Sequence, residues 1–254
     1  MKRYLALTKA ELRLFRREPF SIVFVLAFPL MMMLLLSAVF GDDADEANAV
    51  ENGMLVWNGV DPTDYYTAAS VTAIVAALGF MTLPTRLTGY REQGILRRFR
   101  ASSVSPSAIV ASQLTLAAIM FTAGTLLMAV IAWSVSGAEL PSDPLGVVVA
   151  LVLGTTAFGA IGVLLAAVLG SSRAAQGIGL LLFIGSWLIS GTAPPRAVLP
   201  DGLRDVGGAL PLGQLLDALQ EPWFGQGWDV GALLVLAAVT VVVGAPAMWL
   251  FRRN

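Results

Sequence analysis

The chain has 254 residues, 57% hydrophobic and only 13% charged, with a mean hydropathy of +0.77, an apolar share that excludes an ordinary soluble domain and places it in a membrane. Its 16 basic and 17 acidic residues nearly balance, which gives no reason to expect nucleic acid as a partner. With no cysteine or histidine, and lysine only at Lys2 and Lys9, it lacks a disulfide framework, the commonest general base and metal ligand, and any P-loop, so no catalytic residue, metal site or bound cofactor is expected.

Residues 1–18 read as an interfacial helix. On a helical wheel Tyr4, Leu5, Leu7, Leu12, Leu14 and Phe15 fall on one half, interrupted by Glu11, while Lys9, Arg13, Arg16 and Arg17 lie on the other with Lys2 and Arg3. A basic flank that only sets topology is the simpler alternative. Pro19 then turns the chain into the first of six apolar stretches without Asp, Glu, Lys or Arg: Phe20–Phe40, Tyr65–Thr85, Ser107–Ser136, Leu145–Gly170, Ala174–Thr192 and Val230–Phe251. Each approaches or exceeds the ~20 apolar residues that a helix needs to cross a hydrocarbon core of about 30 Å. Basic residues before an apolar run ending Ser37-Ala38-Val39 also suggest a secretory signal. The run exceeds the usual ~7–15 residues, however, so it is expected to stay as an anchor.

Between the first two stretches, Asp42, Asp43, Asp45 and Glu46 read as a solvated loop rather than a magnesium site. Inside the stretches the polar residues are neutral. Thr67, Ser70, Gln176, Ser186 and Ser190 are candidates to line a pathway, although serine and threonine in membrane helices commonly bond to their own backbone. Gly162, Ala166, Gly170 and Ala174 form a small-xxx-small series suited to close helix packing. Residues 193–228 are rich in proline and amphipathic, with two short helices expected around Leu199–Gly208 and Leu212–Leu219 and with Trp223 and Trp228 at an interface belt.

Orientation follows from the basic residues. All except Arg196 and Arg204 fall on the amino-terminal arm, the loop from Arg86 to Arg100, the turn at Arg173 and the carboxy-terminal tail, which are alternate segments. Both termini are therefore expected in the cytoplasm.

The loop Tyr90–Pro106, YREQGILRRFRASSVSP, places Ile95, Leu96 and Phe99 on one face and Arg91, Arg97, Arg98 and Arg100 around the rest. It reads either as a short amphipathic helix over 90–102 or as a basic loop that only records orientation. Its order of Glu92, Gly94, an apolar and basic helix and then Ser105-Pro106 resembles the cytoplasmic loop in membrane subunits of type-2 ATP-binding-cassette exporters, with Ile95 and Phe99 as mild departures from the Thr and Leu usual there. The resemblance extends over nearly the whole chain. It includes Arg17-Glu18-Pro19 after the interfacial helix, and Gly191-Thr192, Pro195, Leu199-Pro200 and Leu210-Pro211 before the last stretch.

The resemblance implies an all-α polytopic fold of six spans in one transmembrane domain, with a cytoplasmic coupling helix and an external re-entrant hairpin over 193–228. It implies that Arg91, Glu92, Gly94, Leu96, Arg97, Arg98 and Phe99 meet a separate P-loop ATPase subunit, which carries the ATP and magnesium. It further implies a homodimer, or a heterodimer with a similar six-span subunit, exporting an amphiphilic cargo such as a drug, antibiotic or lipid. The excess of arginine over lysine amid abundant Ala, Val and Gly suggests a GC-rich bacterial genome, and the expected location is then a bacterial plasma membrane. A gradient-driven carrier and a non-transporting scaffold or sensor are the alternatives. The first is disfavoured by the absence of ionisable residues from all six stretches.

Overall fold

Proline has no backbone N–H to satisfy, and it opens four helices, at Pro62, Pro106, Pro144 and Pro211. The computed structural model describes residue 12 and residues 23–40, 48–95 and 106–253. A π-helical turn at Val23–Ala27 leads into α1, Phe28–Phe40. Next come α2, Pro62–Ala77, a second π-helical turn at Leu78–Thr82 and α3, Leu83–Glu92, joined end to end. Then follow α4, Pro106–Ser136, α5, Pro144–Val168, and α6, Ser172–Ile189. A 3-10 turn at Arg196–Val198 precedes α7, Asp201–Ala209, and α8, Pro211–Trp223, and the chain closes with α9, Val230–Arg253.

Five described helical runs are long and apolar enough to cross a membrane: Pro62–Glu92, Ile109–Ser136, Pro144–Val168, Ser172–Ile189 and Val230–Phe251. The apolar run Val25–Phe40 is shorter. The surfaces also suit lipid: Leu181, Val241, Val242 and Val135 are each more than 60% exposed, which water would penalise and hydrocarbon would not.

The run 62–92 is the centre of the bundle. Its most apolar window is 94% buried, against 17% for that of α9. It begins before the predicted stretch because Asp61 caps it, accepting from Thr63 N at 2.7 Å. It also continues past Thr85, where the polar sequence gave no reason for a span, because Leu87 and Thr88 are buried against its neighbours. Arg86, expected in a cytoplasmic loop, is likewise buried there.

Three glycines let α5 and α6 close on the π-helical turn. A Cβ on Gly79 would lie 2.6 Å from Phe158 Cβ, one on Gly162 2.6 Å from Gly79 O, and one on Gly179 2.1 Å from Phe80 O. Of the expected small-residue series only Gly162 and Ala166 lie on α5. The helix ends at Val168, so Gly170 falls in the turn and Ala174 on the next helix.

The all-helical expectation needs one amendment. Asn52 and Gly53 take positive φ, and their two-residue turn pairs β1, Val50–Glu51, with β2, Met54–Leu55, antiparallel. Behind this hairpin Trp57 is buried against Phe40, Tyr65 and Tyr66 at ring separations of 5.4–5.6 Å.

Candidate functional site

The last turn of α3 meets the turn between α5 and α6. A helix ends with carbonyls that have no partner within it, and its carboxy terminus favours a cation. Arg91 meets both requirements of α5: Nη1 donates to Ala166 O at 3.1 Å and Ala167 O at 3.3 Å, and Nη2 donates to Leu169 O. The next residue does the converse for α6. Glu92 Oε2 accepts from Ser172 Oγ at 2.6 Å, placing an anion at the amino-terminal end of a helix that Ser171 caps. Two adjacent side chains of opposite charge thus clamp two opposite helix ends.

Immediately beyond, Gly94 adopts φ +66°, and its N–H donates to Arg91 O at 3.1 Å, closing the helix. Among the described residues no atom lies within 4 Å of a Cβ built at Gly94, so what they ask of this position is the left-handed φ. Tyr90 to Glu92 belong to the end of α3, so any separate helix in the loop starts after Gly94 rather than at residue 90. Leu96, Arg97, Arg98 and Phe99 lie outside the described residues, as do Lys9, Arg13, Arg16 and Arg17.

The candidate pathway residues differ in exposure. Thr67 is buried and donates to Thr63 O at 2.7 Å, Ser70 is buried in α2, and Ser190 is buried, sharing a hydrogen bond with Thr192 at 2.5 Å. Gln176 is exposed on α6 and Ser186 is half-buried.

At the opposite end of the bundle from the clamp, Arg196 organises the segment between α6 and α9. Its Nε donates to Ser190 O at 2.7 Å, Nη2 to Gly213 O at 2.8 Å and Nη1 to Asp217 Oδ2 at 2.9 Å. One guanidinium thereby fastens the end of α6 to α8. Gly207 brings α7 onto α6 so closely that a Cβ there would lie 1.6 Å from Ile189 O. The first loop is tied on as well, through Asn52 Nδ2 to Ala197 O at 2.7 Å and Asn58 Nδ2 to Gln220 Oε1 at 2.9 Å. Between loop and helices lies a polar cavity of about 410 Å3 lined by Tyr65, Arg196, Asp217 and Glu221. Burial pushes the Asp217 carboxyl above its ordinary range although Arg196 opposes it, and burial with Asp229 and Asp217 nearby raises Glu221.

Removing the Arg196 charge leaves Asp217 partly buried and unpaired. Arg196→Gln is expected to destabilise the protein by about 2 kcal/mol, and adding Asp217→Asn to recover part of the loss, in a double-mutant cycle read by denaturation in detergent.

A second tie joins the start of α5 to the start of α9. Asp143 accepts from Leu145 N at 3.1 Å, from Gly146 N at 3.2 Å and from Trp228 Nε1 at 2.6 Å. Chiefly through the indole, these bonds hold its carboxyl below the usual range. A lowered folded-state pKa stabilises above the unfolded value, and this is lost as pH falls through the folded one. The melting-temperature gap between wild type and Trp228→Phe is therefore expected to be full at neutral pH and to close in acid.

Sequence reasoning missed Arg91 as a cap, Arg196 as a fork and Trp57 as an anchor. Only the last had a local signal, since Asn52-Gly53 and Asn58-Gly59 on either side mark tight turns.

Apolar faces turned outward, a buried central helix and five membrane-length runs define an α-helical, multi-pass membrane protein. The chain belongs to the ABC-2 type transporter family, whose model matches residues 2–224. Among curated proteins none matches it. It is thus the transmembrane, non-catalytic component of an ABC transporter, of a family that normally works with an ATP-binding-cassette ATPase.

Proposed function

We propose that the chain is the permease of an ATP-driven exporter that moves an amphiphilic substrate, a drug, antibiotic or lipid, out of the cytoplasm or inner leaflet. In this reading it sits in a bacterial plasma membrane with both termini cytoplasmic. It pairs with itself or with a similar six-span subunit, and two P-loop ATPases supply ATP and magnesium. Residues 96–102 dock on the ATPase, with Leu96 and Phe99 as the apolar anchor and Arg97 and Arg98 as the charged rim. The amino-terminal helix bearing Lys9, Arg13, Arg16 and Arg17 lies along the inner leaflet beside it.

The observation that carries this reading is the clamp. Closure of the ATPases pushes the loop, and the push enters the bundle at the end of α3. There Arg91 and Glu92 hold α5 and α6, so the three helices move together at that end. The same helices are locked again at Gly79, Gly162 and Gly179. From α6 the motion reaches the 193–228 segment through Ser190, Gly207 and Arg196, where the proposed external hairpin gates the exit.

The test is transport in proteoliposomes holding the permease with its ATPase, using a fluorescent amphiphile. ATP-dependent movement that ignores an imposed proton gradient is expected. Movement driven by the gradient without ATP contradicts the proposal.

A further inference from the structure

An apolar groove of about 700 Å3 runs between α4 and α5, away from both the clamp and the polar cavity. Along α4 it extends from Leu114 to Ala129, about 22 Å at the ~1.5 Å rise per residue of a helix, roughly three-quarters of a ~30 Å hydrocarbon core. Three of its five threonines already spend their hydroxyl hydrogens on their own helix: Thr115 Oγ1 donates to Ala111 O at 2.9 Å, Thr122 Oγ1 to Ala118 O at 2.8 Å and Thr156 Oγ1 to Val152 O at 3.1 Å. Leu126, Val148 and Val152 on its rim are more than half exposed, so the groove opens sideways, where a membrane-embedded chain meets lipid tails.

The end of the groove farther from the clamp has a fixed and charged mouth. Ser142 N and Asp143 N donate to Trp223 O and Pro222 O, both at 3.0 Å, stitching the 137–143 loop to α8. Leu140, Pro141 and Pro144 line this mouth, so Glu139 and Asp143 flank it in the chain, and Asp64 is tied to the same loop by accepting from Glu139 N at 2.7 Å. No lysine or arginine occurs from Ile109 to Val168 or in α8, the elements that frame the groove and its mouth. Trp223 and Trp228 lie at the same level, as indoles do at a membrane interface.

We propose that this groove is a lipid site, holding one acyl chain of a bilayer lipid whose headgroup carries an amine, with the ammonium against Glu139 and Asp143. A tail is the component of a hydrocarbon core that fits a long, narrow, apolar slot. The carboxylates select a cationic headgroup group and repel a purely anionic one. The inference rests on the chain's place in the membrane and not on its cargo or coupling, so ATP-driven transport and lipid retention fail or succeed separately.

The permease with its ATPase is reconstituted in equal phosphatidylethanolamine and phosphatidylglycerol, extracted gently, and its retained lipid read by native mass spectrometry. Phosphatidylethanolamine is expected about fivefold over phosphatidylglycerol, the ratio typical of one charge near a membrane surface. Ala118→Phe with Thr122→Phe is expected to empty the site. Glu139→Gln with Asp143→Asn, which keeps a capping side chain, is expected to retain lipid but lose the preference. Because a filled groove can also impair folding, a photo-crosslinking side chain at the exposed Leu126 gives a second readout, with an adduct of lipid mass expected. Retention unchanged by filling, no headgroup preference in the wild type, or crosslinks from position 126 to a second copy of the chain would each overturn the proposal.

Discussion

Replacing Arg91 with methionine is expected to separate ATP hydrolysis from transport. Methionine keeps much of the side chain's length and apolar packing but removes the donors that satisfy Ala166, Ala167 and Leu169. The α5 end then loses its cap and its favourable dipole partner, at a cost of about 1–2 kcal/mol. The protein should fold, because α5 is held along its length by Phe158, Val163 and Ala166 in the core. What is lost is the rigid link from loop to bundle. Transport per ATP hydrolysed is expected to fall about tenfold, within the span of typical coupling energies, while ATPase binding is kept. Arg91→Lys should recover only part, since an ammonium cannot reach three carbonyls with a planar fork. Equal transport per ATP in wild type and Arg91→Met would remove the clamp from the mechanism.

Gly179→Val is expected to have a large effect on stability. Even the first carbon of a side chain there would lie 2.1 Å from Phe80 O, and backbone on both sides leaves no flexible group to yield. α6 must move off the π-helical turn, opening the contact that joins it to the central run. Overpacking at such a site costs about 3 kcal/mol, or roughly 10 °C in melting temperature for a chain of this size. Gly185→Ala on the same helix is the control, because among the described residues nothing lies within 4 Å of a Cβ there. A similar melting temperature for both variants would show that the close approach at Gly179 is not a constraint.

The membrane-length helices were legible because uncharged runs have one solution in hydrocarbon, the helix that bonds its own backbone. The start of α5 was placed within a residue of Pro144, whereas α2 begins three residues before the expected Tyr65, where Asp61 caps it. The run to Glu92 was not, because polar residues after Thr85 stay helical only through burial against α5 and α6. The role of Arg91 was hidden for the same reason. As a sequence feature it is one more basic residue in a basic loop, and its carbonyl partners lie more than 70 residues away. Arg196 looked like an isolated charge in a proline-rich segment, yet it joins two stretches of chain through three bonds. The resemblance carried by Glu92, Gly94 and Ser105-Pro106 pointed to the family that matches residues 2–224. The groove between α4 and α5 had no sequence signal, since it arises from how two uniformly apolar helices diverge.

The central claim is that the loop after α3 delivers the work of a separate ATPase to this bundle. It is tested most directly by purifying the tagged chain from its native membrane in mild detergent and measuring what accompanies it. A P-loop ATPase in equal amount, lost when Arg97 and Arg98 are both changed to glutamate, is the expected result. A chain that purifies without any ATPase in several mild detergents, or an ATPase that stays bound after the charge reversal, would contradict the claim.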